Sequence, residues 1–162
     1  MQTERLLITK LNHQDNAFII ELVNAPGWLK FIGNRNIYDT LDAQYYIQNI
    51  LDNPRSTFWV VKLKTTQESI GVISLIKRDY LAFHDIGFAF LPTFSRLGYA
   101  YEATKYMLAV FKKEKKHPIL YGTTLPDNKN SIQLLMRLGF TFEKLIEVEE
   151  ESLNLYQLAH DV

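Results

Sequence analysis

Phe83-His84-Asp85-Ile86-Gly87-Phe88-Ala89-Phe90-Leu91-Pro92-Thr93-Phe94-Ser95-Arg96-Leu97-Gly98-Tyr99-Ala100-Tyr101-Glu102-Ala103 carries the chain from a strand, through a polar loop, into a helix. Phe83 to Leu91 is a strand by its apolar and aromatic content. Pro92 ends it, because proline has no N–H for the ladder. The helix runs from Tyr99 to Lys113, with Ala100, Ala103, Met107 and Val110 on one stripe. Gly98 permits close approach to the backbone, and small Ala100 leaves the first turn uncrowded. Free N–H groups at such a helix start point at an anion, with the helix dipole behind them. Taken alone, the segment is either such a cradle or an ordinary strand-to-helix turn.

Upstream, Glu4 to Lys10 reads as a first strand and His13 to Val23 as a helix with Phe18, Ile19 and Leu22 on one face. Pro26-Gly27 breaks that helix. Asp39-Thr40 offers an N-cap for a second one from Leu41 to Leu51. Thr57 to Leu63 and Ile70 to Ile76 read as a strand pair around the polar loop Lys64 to Ser69. Downstream, Ile119 to Leu125 is a strand of buried type, and Asn128 to Leu138 a short helix closed by Gly139. Thr141 to Val148 and Leu153 to Leu158 make a last strand pair around Glu149-Glu150-Glu151. Strands that pair antiparallel and then alternate with helices imply an α+β fold: a mixed, mostly antiparallel central sheet with helices on both faces.

With 162 residues the chain is expected to be a single domain over 1–162. A composition 47% hydrophobic and 22% charged supports a core and excludes a disordered chain. Eighteen basic and eighteen acidic side chains balance, so no nucleic-acid partner is expected. Cysteine is absent, which removes thiol catalysis, thiolate zinc sites and disulfides together. No stretch reaches the roughly 18 apolar residues of a membrane span, and Met1 to Arg5 do not open a signal peptide. The expectation is a soluble, cytoplasmic protein without a membrane partner, either monomer or homodimer. His13, His84, His117 and His160 show no paired spacing, so no metal is expected. Walker A, dinucleotide and G-x-S-x-G signatures are absent.

A second segment, Asp127-Asn128-Lys129-Asn130-Ser131 through Arg137-Leu138-Gly139-Phe140, follows the next strand. With the first it closely resembles the GNAT superfamily of acyl-CoA-dependent N-acetyltransferases. The family's Q/R-x-x-G-x-G/A loop corresponds to Ser95 through Ala100, its N-x-x-S to Asn128 through Ser131, and its K/R-L-G-F to Arg137 through Phe140. Thr3-Glu4-Arg5-Leu6-Leu7, Ile86-Gly87-Phe88 and Gly98-Tyr99-Ala100-x-Glu102-Ala103 resemble the branch that acetylates ribosomal proteins. One position departs: Ser95 stands where the family usually has Gln or Arg, with Arg96 beside it.

The resemblance implies acetyl transfer from acetyl-CoA straight to a primary amine, on a protein N-terminus or a small molecule. It assigns the pyrophosphate to Arg96, Leu97, Gly98, Tyr99 and Ala100. It assigns the peptide-like pantetheine arm to the open edge at Phe88, Ala89, Phe90 and Leu91, as an added strand. The amine must lose a proton and the thiolate must gain one. Asp85 is either that base or a solvated strand-edge carboxylate. The family's usual acid, a Tyr, is replaced by Leu135. Ser131 is the substitute donor, or else only packs its helix. Asn128 bonds the CoA arm, caps the helix, or does both. Trp28, Phe31 and Tyr156 are candidates for an acceptor wall, with core packing as the alternative. Lys112 to Lys116 reads as a solvated helix end, with contact to the adenosine phosphate as the alternative, and Glu149 to Glu151 as a solvated loop, with attraction of a cationic acceptor as the alternative. The competing function is a non-catalytic acyl-CoA sensor or partner-binding module on the same fold.

Overall fold

The computed structural model describes residues 1–160; the last two residues of the expected domain lie outside that range. Four strands come first: β1 (Leu6–Lys10), β2 (Ser56–Leu63), β3 (Ser69–Ile76) and β4 (Asp85–Phe90). Each pairs antiparallel with the next. The expected polar loop joins β2 to β3. Three more strands follow: β5 (Ile119–Thr124), β6 (Thr141–Val148) and β7 (Glu151–Ala159). All seven share one sheet in the order β1-β2-β3-β4-β5-β7-β6. Among the described residues only β4 and β5 run parallel, so the sheet is mixed and mostly antiparallel as expected.

Period-2 alternation sorts the strands onto two cores. Trp59, Val61, Ile73, Leu75 and Ile86 face α4 (Tyr99–Glu114) and α5 (Lys129–Arg137), with Ala103, Met107, Phe111 and Leu135 opposite them. Val60, Val72 and Leu91 face the other way, toward Phe18, Leu22, Ala43 and Ile47. Those four belong to α1 (Asn16–Val23) and α3 (Thr40–Asp52). Asp39 caps α3 by accepting from the Asp42 N–H at 2.8 Å. No helix among the described residues is long and apolar enough to cross a membrane.

Three local expectations need correction. The helix expected from His13 starts as a 3-10 turn, His13–Asp15, because Asn12 and Asp15 form a capping box there. Pro26 does not only break a helix; it opens another, α2 (Pro26–Phe31), where its missing N–H costs nothing. The strand read from Phe83 begins at Asp85. His84 precedes it and packs edge-on against His117, ring centres 4.6 Å apart.

Candidate active site

The site begins where β4 and β5 part. Their parallel pairing holds at a single register position, Asp85 opposite Tyr121. The Tyr121 N–H donates to the His84 carbonyl at 2.8 Å. Two residues on, the Thr123 N–H donates to the Asp85 carboxylate at 3.2 Å. Beyond this point the β5-facing edge of β4, through Phe88, Ala89 and Phe90, has no strand partner among the described residues. The result is a wedge with Asp85 at its apex and an unpaired strand edge along one wall. Leu91, just past the strand, is buried on the α1–α3 face, and its N–H donates to the Ile70 carbonyl at 2.9 Å.

Asp85 is not the solvated carboxylate that its position at a strand end allowed. It is 4% exposed. One oxygen accepts from the Thr123 N–H; the other accepts from the Thr123 hydroxyl and from Arg78 Nε, each at 3.2 Å. Burial pushes its pKa up to about 6, although Arg78 and Thr123 both pull it down. A carboxylate so placed exchanges a proton close to neutral pH.

The loop and helix past β4 form the second part. Gly98 is the N-cap of α4 at φ +82°, a left-handed value that favours glycine. No side chain caps this end. The Glu102 N–H returns to the Gly98 carbonyl at 3.0 Å, so the amides ahead of it have no intrahelical acceptor. Arg96 and Leu97 are exposed beside them, and Tyr99 and Ala100 are half-buried. Ser95 faces away: its hydroxyl donates to the Pro92 carbonyl at 2.6 Å.

The third part is the start of α5. Asn128 caps it, accepting from the Ser131 N–H at 3.3 Å. The Ser131 hydroxyl is half-buried and has no protein partner among the described residues. Leu135 is 1% exposed, and a Cβ on Gly122 would stand 2.8 Å from it. Leu135 therefore fills the core against β5 and supplies no proton.

The three acceptor-wall candidates are not brought together. Trp28 is buried on the α1–α3 face, its indole N–H without a partner among the described residues. Tyr156 is buried on the α4–α5 face, edge-on to Phe142. Only Phe31 keeps a partly open ring, with the Lys30 ammonium over it. Trp28 and Tyr156 pack the two cores, the alternative left open for them. Arg78 and Thr123, which hold Asp85, carry no motif and were missed. Thr3, Arg5 and Glu102 stood inside quoted motifs without a role; the structure joins them, since Thr3 and Arg5 both bond Glu102.

A fit to coenzyme A is visible in these parts: orphan amides at a helix start for a pyrophosphate, and an unpaired strand edge for an amide-bearing arm. Residues 5–141 match the family described as Acetyltransferase (GNAT) domain. This chain belongs to the GNAT acetyltransferase family. As a member it is an acetyl-CoA-dependent acetyltransferase. An uncharacterized N-acetyltransferase of Bacillus subtilis (strain 168), YnaD, is 27% identical over 142 residues, covering 87% of this chain and 82% of the relative. Among solved structures, the Salmonella typhimurium acetyl transferase that modifies the N-terminal serine of ribosomal protein L7/L12 superposes with a TM-score of 0.83 at 14% identity, over 98% and 97% of the two chains. Spermidine N-acetyltransferase from Vibrio cholerae, in complex with CoA and spermine, gives 0.81 at 15% identity, over 98% and 97%. Both likenesses establish the GNAT fold; neither names the acceptor of this acetyltransferase.

Proposed function

We propose that this acetyltransferase moves acetyl from acetyl-CoA to the α-amine of a peptide or protein N-terminus. The amine attacks the thioester directly, and no acyl-enzyme forms. The wedge between β4 and β5, with a buried carboxylate at its apex, carries the reading. A chain without cysteine has no thiol for an enzyme thioester, which fits one-step transfer.

The residues divide the work. The amides from Leu97 to Ala100 hold the pyrophosphate, with Arg96 as the exposed cation. The unpaired edge of β4 receives the pantetheine amides as an added strand, and Asn128 bonds the same arm while capping α5. When bound, acetyl-CoA supplies the activated acetyl group. Asp85 takes the proton of the attacking amine, its pKa near 6 matching that task. Ser131 gives a proton to the departing sulfur. Phe31 is the remaining acceptor-side aromatic.

Thiol release from acetyl-CoA, measured with a panel of peptide α-amines, lysine side chains and polyamines, tests the reading. Turnover with α-amines is expected. CoA-induced thermal stabilisation without turnover on any amine would return the protein to the sensor class.

A further inference from the structure

The loop ahead of α4 is tied to the start of the chain. Arg5, just before β1, reaches it across 92 residues of sequence. Its Nη1 donates to the Leu97 carbonyl at 3.0 Å and its Nε to Glu102 at 2.7 Å. The guanidinium lies over the Tyr99 ring, 4.3 Å from its centre. The Arg5 backbone N–H and the Thr3 hydroxyl both donate to the second Glu102 oxygen, at 3.0 and 2.6 Å. The remaining guanidinium nitrogen, Nη2, would stand 3.3 Å from a Cβ built on Gly98.

Two consequences follow for an anion at this helix end. A trans peptide is planar, with its C=O and N–H pointing in opposite directions. Holding the Leu97 carbonyl toward Arg5 therefore aims the Gly98 N–H the other way. Glu102 sits in the first turn of α4, where its charge would repel a phosphate. Arg5 and Thr3 surround that carboxylate with donors. Burial alone would raise its pKa, yet these bonds keep it below the ordinary value, so it stays charged and paired. Ser95, bonded to Pro92, offers the loop nothing comparable.

We propose that Arg5 is a positioning residue of the cofactor loop: it orients the Leu97–Gly98 peptide and neutralises Glu102, so that the loop accepts the CoA pyrophosphate. This rests on the proposal that the loop holds that group. The test compares acetyl-CoA with S-acetyl-pantetheine, which carries the same thioester and no pyrophosphate. Arg5→Ala is expected to raise KM for acetyl-CoA about tenfold, the scale of one charge-assisted hydrogen bond. The fall in kcat/KM for S-acetyl-pantetheine is expected to be several times smaller. Arg5→Lys keeps the charge and loses the fork, so its KM is expected to lie between. Should Arg5→Ala fail to fold, Arg5→Lys carries the same donor comparison. Equal losses with both donors would make Arg5 a general structural residue and overturn the proposal, as would an unchanged KM for acetyl-CoA. A wild-type protein that neither binds CoA nor turns over acetyl-CoA would instead overturn the reading of the loop itself.

Discussion

Asp85 shows how far one side chain departs from its local sequence. Nothing near it indicates burial, because its partners are Thr123, 38 residues on, and Arg78, seven residues back. The acid was legible, but the strand was read as starting two residues early; the apex position was not legible, since it depends on two strands parting. Its raised pKa has a definite sign. Between the ordinary value of 3.8 and about 6, the folded chain holds more protons at this position than the unfolded chain. Stability from Asp85 therefore falls as pH rises through that window. Asp85→Asn removes the slope. Asn keeps one oxygen for the Thr123 N–H, and Arg78, 40% exposed, can turn to solvent. The variant is expected to match or exceed the wild-type melting temperature at pH 7.5. The wild type is expected to gain on it as pH falls from 6 toward 4. Burial lowers the pKa of His84 and His117, which destabilises both proteins below the ordinary value of 6.5 and cancels from the difference. Thermal melts of the pair across pH check this. In kinetics, the acid limb of kcat/KM near pH 6 is expected to vanish in Asp85→Asn. A wild-type pH–rate profile would remove Asp85 as the base. Ser131 is judged separately: Ser131→Ala is expected to lower kcat more than it raises KM for acetyl-CoA. Unchanged turnover would leave another donor for the sulfur.

At the scale of elements, the strand–loop–helix of residues 85–114 was the most legible part. Its punctuation is chemical: Pro92 stops a ladder, Gly98 takes φ +82°, and Tyr99 opens the helix. Elsewhere punctuation misled. Pro26 opens α2 because a first-turn proline loses no bond, and sequence alone does not distinguish that from a stop. The loop also sets a sharp expectation for Gly98→Asp. A Cβ at a positive φ costs on the order of 1 kcal/mol, and a carboxylate beside the orphan amides competes with a phosphate for them. CoA raises the melting temperature of a protein that binds it. That rise is expected in the wild type and largely lost in Gly98→Asp, at equal fold by circular dichroism. Equal CoA-induced rises in both would remove the loop from the cofactor site.

For the whole molecule, the sequence pattern supplied the strands and two hairpin pairs, β2 with β3 and β6 with β7, but not how the remaining strands are ordered. β5 pairs with β7 rather than with β6, so its partner lies across a hairpin that local sequence does not reveal. Likewise, no local pattern announces a wedge, which is the absence of pairing between two distant strands. The fold is shared at nearly equal likeness with an acetyl transferase that modifies an N-terminal serine and with a spermidine N-acetyltransferase, so the acceptor must be argued from energy and charge. A peptide α-amine has a reference pKa of about 7.7–8.0 and is neutral roughly a tenth of the time at pH 7. A lysine amine, near 10.4, lies about 3.4 units from deprotonation, or about 4.6 kcal/mol. One carboxylate with a pKa near 6 is a weak base for the second task and sufficient for the first. A polycation is also drawn by an acidic field, and this chain balances eighteen acidic against eighteen basic side chains. Peptide α-amines are therefore expected to exceed lysine side chains and polyamines in kcat/KM at pH 7. The gap is expected to narrow as pH rises toward 9, where solution supplies more neutral lysine. Initial rates of thiol release with matched peptides, one with a free α-amine and blocked lysine and one with the reverse, measure it directly. A preference for lysine or spermidine that persists at pH 7 would overturn the acceptor assignment and leave the wedge, the loop and the family standing.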